Sequence, residues 1–198
     1  MSVDCLLKRC VAIDLEVNPS RRQIFSFAAI RKTTGSLKRT GDNCSDALPE
    51  LDDYAASVEF VLGHNVIKHD LCYLRKARAN LSILTKPPID TLWLNPLAFP
   101  RNPYHKLVKH DKDARLQDGS ASDPEHDARL VFEVLRKQHS KFKTLARDNP
   151  DLLAAYHWLT TMAGNSLDFR HFPRVSVLCF HSPPGFVWSA PEIADVVP

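Results

Sequence analysis

The run Val11-Ala12-Ile13-Asp14-Leu15-Glu16-Val17 constrains this chain more than any other stretch. Side chains alternate across a strand, so Val11, Ile13, Leu15 and Val17 share one face and Ala12, Asp14 and Glu16 the other. The strand is apolar enough to be central, yet two carboxylates two residues apart point the same way. Like charges held close on a sheet face repel and lose hydration unless a positive group sits between them. A divalent cation meets that need, because hard cations select carboxylate oxygen. Taken alone, the stretch reads somewhat better as a half-exposed edge strand with two solvated acids.

The chain has 198 residues, enough for one domain with a real core, or one domain and an appendage. No apolar run is long enough to cross a bilayer, and the N-terminus, with Asp4, is a poor secretory signal. The cysteines (Cys5, Cys10, Cys44, Cys72, Cys179) are odd in number and lack Cys-x-x-Cys spacing. That argues against both a disulfide framework and a zinc site, and suits a reducing compartment such as the cytoplasm. The net charge is only +3, but Arg75 to Arg115 carries nine Lys and Arg against three acids. Such a stripe reads either as a phosphate footprint or as a solvated face.

The remaining elements follow in order. Ile24 to Ile30 reads as a second strand, paired in a hairpin, and Ser36 to Thr40 as a short third. Leu51 to Phe60 looks helical. Val61 to His64 is a buried strand, and a helix follows over Asp70 to Ala79. Ile89 to Trp93 is strand-like. Pro96, Pro100 and Pro103 mark a stiff loop, and a short helix is predicted from Tyr104 to Lys112. Asp123 caps a helix that starts at Pro124 and should run to Lys137. Residues 1–140 therefore read as one domain, and 141–198 as a helical appendage with a proline-containing tail or linker.

Two helices carry acids on faces that should be buried. Asp70 shares a stripe with Leu74 and Ala77, and Asp127 falls within the stripe of Leu130, Val131, Val134 and Leu135. Each acid alone could be favoured by a helix dipole. Together with Asp14 and Glu16 they make four acids where sequence rules place none, and local rules tend to fail at functional sites.

These residues carry a resemblance. Ile13-Asp14-Leu15-Glu16 resembles the first motif of the DEDD, or DnaQ-like, 3′–5′ exonucleases. Gly63-His64-Asn65 with His69-Asp70-Leu71 and Leu74 resembles the second, with His69 in place of the usual phenylalanine. Asp127-Ala128-Arg129 resembles the third. Asn95 to His105, with Leu107-Val108-Lys109-His110, is similar to exonuclease-like domains at the N-terminus of some bacterial RecQ-type helicase proteins; Ala163 to Ser166 resembles their connecting region.

The resemblance implies an α/β, RNase H-like fold: a mixed five-stranded sheet, its first three strands antiparallel, with helices on both faces. It implies hydrolysis of the terminal phosphodiester of a nucleic acid with a 3′ end, DNA rather than RNA. It further implies a role in DNA repair, beside a helicase module in the same or a partner protein. Two Mg2+ or Mn2+ ions would lie among the acids, with Asp14 touching both, Glu16 and Asp127 the one that activates water, and Asp70 the other. Asn65 would hold the strand or the terminal nucleotide, or serve as a structural amide. Arg101, Lys106 and Lys109 are the preferred phosphate contacts of the basic stretch.

One departure stands out. The family's general base lies five or four residues before the third-motif acid, where this chain has Ser122 and Asp123. Serine is a poor proton acceptor near neutral pH, and Asp123 is committed to capping. His105 and His110 flank the apolar stripe of the predicted short helix and read equally as phosphate contacts; His105, beside the proline-rich loop, is the preferred substitute base, while His126 should face solvent. The missing histidine keeps open a second reading, a degenerate fold that binds nucleic acid or positions a helicase without cutting. A small-nucleotide phosphodiesterase also fits the motifs.

Overall fold

The computed structural model describes residues 2–18, 20–105, 107 and 123–162, with side chains to residue 157. Five strands form one sheet: β1 (Cys10–Asn18), β2 (Gln23–Arg31), β3 (Gly35–Thr40), β4 (Phe60–Gly63) and β5 (Pro88–Asp90). Their order is β3-β2-β1-β4-β5. The β1–β2 and β2–β3 pairs are antiparallel, and β1–β4 and β4–β5 are parallel. With helices on both faces, this is the expected RNase H-like arrangement.

Alternation along β1 divides the core in two. Val11, Ile13 and Leu15 pack with α2 (Leu48–Ala55) and α3 (Asp70–Ala77), through Leu48, Leu51, Leu71 and Leu74. Cys10 and Ala12 face the other way, toward α1 (Val3–Lys8), α4 (Thr91–Ala98) and α5 (Pro124–Asp148). That second cluster gathers Leu6, Leu94, Val131, Leu135 and Phe142. Asp14 and Glu16 continue the face of Ala12, so they look toward α5.

Several sequence expectations need correction. The helix expected over 51–60 lies earlier, at Leu48–Ala55, where Leu48, Leu51 and Ala55 form the buried stripe. The strand-like segment at Ile89 ends at Asp90, whose carboxylate accepts the Leu92 amide at 3.0 Å and starts α4. Pro96 lies inside that helix rather than in a loop. An interior proline costs roughly 3 kcal/mol; burying Leu94 and packing Leu97 and Ala98 on the same cluster offsets it, at up to about 2 kcal/mol per large side chain. Of the short helix expected over 104–112, Tyr104 and His105 are not helical and Tyr104 is 74% exposed, while 106 and 108–112 lie outside the described residues. The short N-terminal helix α1 was not foreseen.

The largest difference is α5, which runs past Lys137 to Asp148. Gln138 and His139 look like surface residues but are buried, and Phe142 continues the stripe of Leu135. The helix thus crosses residue 140. Leu153, on α6 (Pro150–Met162), also packs in the second cluster. Residues 163–198, the greater part of the expected appendage and tail, lie outside the described residues.

Candidate active site

The site sits where the β1–β4 ladder stops. β4 pairs with β1 only as far as Leu62 opposite Ala12, while β1 runs on to Asn18. From Asp14 onward, β1 keeps β2 on one side and has an open edge on the other. Asp14 lies opposite Ala28 and Glu16 opposite Ser26, and these small neighbours leave room above the sheet. The first turn of α5 brings Asp127 there. Asp123 caps that helix through the Glu125 amide at 3.1 Å, and Pro124 occupies its first position.

Asp14 and Glu16 are half-buried and Asp127 is 7% exposed. Each offers a carboxylate oxygen such that all three lie within 4.8 Å of one another. Three hard oxygen donors at that spacing suit a divalent cation of the magnesium or manganese class.

Asp70 stands outside that trio and meets β1 along its open edge. Its Oδ1 accepts the Leu15 amide at 2.9 Å, a ladder position that β4 leaves unfilled. Burial pushes its carboxyl above the ordinary carboxylate value, and His69 works against that. The His69 ring is 3.7 Å from Asp70 and is held above the ordinary histidine value, chiefly by Asp70 and further by Glu16. The same ring meets Tyr73 edge-on at 5.1 Å between centroids.

The loop between β4 and α3 is shaped by two residues. A Cβ on Gly63 would lie 2.6 Å from the Val66 Cβ and 3.2 Å from the Ile13 carbonyl, so only glycine lets the loop fold back onto β1. Asn65 has φ of 69°, in the left-handed region that asparagine tolerates better than most residues. The Asn65 and Ile67 amides donate to Asp90 at 2.8 and 3.0 Å. Asp90, with 0% exposure, thus joins this loop to the start of α4. Burial pushes its carboxyl up, and the three amides oppose that. Sequence reasoning missed this role; the available signal was an acid directly before the helical run Thr91 to Leu94.

His64 follows Gly63. The single hydroxyl proton of Thr91 goes to the Gly63 carbonyl at 3.1 Å, so toward His64 the Thr91 oxygen accepts. The Nδ1 of His64, at 2.9 Å, is then the protonated nitrogen. Burial holds this ring below the ordinary histidine value, opposed by the His105 carbonyl and by the charge of Asp127. Behind it, Gln138 donates from Nε2 to the Thr91 carbonyl and to Asn95 Oδ1, both at 2.7 Å. Asn95 donates to the His105 carbonyl at 3.3 Å.

The other sequence candidates are placed as follows. His105 is half-buried beside α4, and His126 is exposed on α5, as expected. Arg101 is exposed on the turn after α4. Lys106, Lys109 and Ser122 lie outside the described residues. Asp123 is paired with Lys38 of β3 at 2.8 Å, which holds its carboxyl below the usual range.

No protein-family model and no curated protein sequence matches this chain. Among solved structures, it is similar to Exonuclease I from Methylocaldum szegediense (13% identity, TM-score 0.44, covering 74% of this chain and 42% of that one). It is also similar to Brucella melitensis NrnC (20%, 0.46, 76% and 81%). A third is E. coli Exonuclease I in complex with a dA16 oligonucleotide (12%, 0.43, 75% and 43%). The chain therefore spans about two fifths of the Exonuclease I chains it matches.

Proposed function

We propose that this chain is a metal-dependent 3′–5′ exonuclease domain of the DEDD type, hydrolysing the terminal phosphodiester of a nucleic acid, DNA rather than RNA. The observation that carries this reading is the meeting of Asp14 and Glu16 of β1 with Asp127 of α5 within 4.8 Å. Carboxylates held this close repel one another, and a divalent cation among them would relieve that repulsion. Asp14, Glu16 and Asp127 would hold one Mg2+ or Mn2+ ion, and Asp70 would complete the set for a second. Bound metal of this class supplies a nucleophilic hydroxide at neutral pH and stabilises charge on the attacking and leaving oxygens.

The protein's own groups do the rest. Leu15, through its amide, fixes the Asp70 carboxylate against the strand that carries Asp14 and Glu16. Asp123 is excluded as a general base by its bonds to Lys38 and the Glu125 amide. His105 is our candidate for accepting a proton from the attacking water. Arg101, Lys106 and Lys109 are assigned to backbone phosphates and Asn65 to the terminal nucleotide. We place the protein in the cytoplasm and infer a helicase module alongside it, on the resemblance of residues 95–110 and 163–166. Phe142 and Leu153 pack in the core, so of the expected appendage over 141–198 we assign residues 163–198 to the connection between the two.

The engagement of Asp123 also favours a second reading, a domain that binds nucleic acid without cutting it. A short single-stranded oligonucleotide separates the two. Stepwise loss of nucleotides from the 3′ end with magnesium, stopped by EDTA, is the expected result. Binding with no cleavage across pH and with either metal would establish the second reading.

A further inference from the structure

Helix α3 leads away from the acids with a basic and aromatic outer face. Its start is tied to the site, because the ring of His69, the N-cap residue, is 3.7 Å from the Asp70 carboxylate. Contacts then step along the helix. His69 meets Tyr73 edge-on at 5.1 Å between centroids, and the Lys76 ammonium lies 5.3 Å from the centre of the Tyr73 ring. At 100° per residue, His69, Tyr73 and Lys76 fall within an arc of about 60°. That arc is opposite Leu71 and Leu74, which are buried in the first cluster. Long helical side chains lean toward the helix start, so Lys76 is laid back over Tyr73 in the direction of the acids.

Residues 68–78 hold four cations, Lys68, Arg75, Lys76 and Arg78, against one acid, the buried Asp70. All four are exposed. By contrast, the exposed Lys32, Lys38 and Arg39 pair with Asp4, Asp123 and Glu50. Among the described residues, none of the four α3 cations has an acid partner. Two of them lie over aromatic rings instead, Lys68 over Trp93 at 4.6 Å and Lys76 over Tyr73. A ring holds an ammonium in place without neutralising it. A row of unneutralised cations interleaved with rings complements a polyanion that carries flat groups, which is a single nucleic-acid strand.

We propose that the outer face of α3 is the track for the strand upstream of the scissile bond. With its 3′ end at the acids, the strand runs over His69 and Tyr73, and Lys76, flanked by Arg75, holds its phosphates. This rests on the exonuclease reading above. From His69 to Lys76 the helix advances about 10 Å. A stacked strand rises about 3.4 Å per nucleotide, so Lys76 meets the phosphate about three nucleotides from the 3′ end. The track touches backbone and ring faces rather than base edges, so it is tolerant of sequence.

The test uses the full chain in magnesium and a 5′-fluorescein oligothymidylate of about ten nucleotides, within the range of single-strand sites, with phosphorothioate linkages. Anisotropy is followed against salt. Lys76→Gln should weaken binding and lower the slope of log affinity against log salt by about 0.7, the share of one phosphate. Lys76→Arg should restore both. A cycle then locates the contact. One neutral methylphosphonate is placed either about three linkages from the 3′ end or at the 5′ end. The first should abolish the difference between wild type and Lys76→Gln, and the second should preserve it. An effect of Lys76→Gln that persists with either placement, or no effect at all, overturns the track. Cleavage of unmodified DNA by the wild type, measured in parallel, reports on the nuclease reading separately. If the wild type neither binds nor cleaves, the nuclease reading fails and this inference with it.

Discussion

The carboxylate of Asp70 accepts the backbone amide of Leu15 at 2.9 Å, across 55 residues of chain. One candidate site acid is therefore also a structural bond on the open edge of the strand that holds two others. Its full burial, rather than the bond, dominates its ionisation.

Asp70→Asn should stabilise the metal-free protein near neutral pH. The folded-state carboxyl is raised above its ordinary value of 3.8. The wild type is thus most stable, relative to this variant, below that value, and loses ground as pH rises through the folded-state value. Asparagine can still accept the Leu15 amide. Urea unfolding in EDTA should give near-equal stabilities below the ordinary carboxylate value and a gap favouring Asp70→Asn that widens upward. A gap that narrows with rising pH would contradict the burial argument.

Asp14→Asn should reduce cleavage below detection while leaving the fold intact or slightly more stable. Removing one charge from the trio relieves repulsion in the absence of metal. Magnesium or manganese should raise the melting temperature of the wild type more than that of the variant, since only the native site binds the ion. Equal metal-induced shifts in thermal unfolding would count against the metal assignment.

Asp90→Ala should be among the most damaging single changes. It strands the amides of Asn65, Ile67 and Leu92 around a fully buried position. Each unsatisfied buried amide costs about 1–3 kcal/mol, so a loss of at least 3 kcal/mol, roughly, is expected from chemical denaturation. A loss under about 1 kcal/mol would show that water replaces the carboxylate.

Neutralising Arg101, Lys106 and Lys109 together should weaken single-strand binding and flatten its salt dependence. Each lost phosphate contact removes about 0.7 from the slope of log affinity against log salt, or roughly 2 for all three. An unchanged slope would mark the basic stretch as a solvated face.

His105→Ala should slow cleavage by roughly 10²-fold, the low end for a lost general base. His126→Ala, exposed on α5, should leave the rate nearly unchanged. Single-turnover cleavage by both variants across pH decides the matter. A large effect of His126→Ala with none of His105→Ala would reverse the assignment.

The acid-bearing strand and the capped start of α5 were legible because both are written in local sequence. Alternation gives the shared face of Asp14 and Glu16, and Asp123-Pro124 gives a helix start three residues before Asp127. Features fixed by distant partners were not legible. Nothing near Gln138 in sequence announces that it is buried against Thr91 and Asn95, so the helix seemed to end there. Lys38 belongs to a short exposed strand, and its pairing with Asp123 spans 85 residues. Glu16 pairs with Ser26 and Val17 with Ile24, so Phe25 is an extra residue, a β-bulge. That bulge is invisible for another reason: a strand with one extra residue still reads as a strand, and only its partner's register exposes the slip.

The unbroken α5 has a mechanical consequence. Asp127 lies in its first turn, and Phe142, fifteen residues on, is locked in the core. At 1.5 Å per residue these are about 22 Å apart on one stiff rod. Slipping that rod by one residue would swing Asp127 through about 100° and off the sheet. What forbids the slip is the seating of Leu135, Gln138 and Phe142 at the far end. The alignment of the acids is therefore guarded by side chains that no substrate touches, and a lesion there could silence the site without altering a single one of its groups.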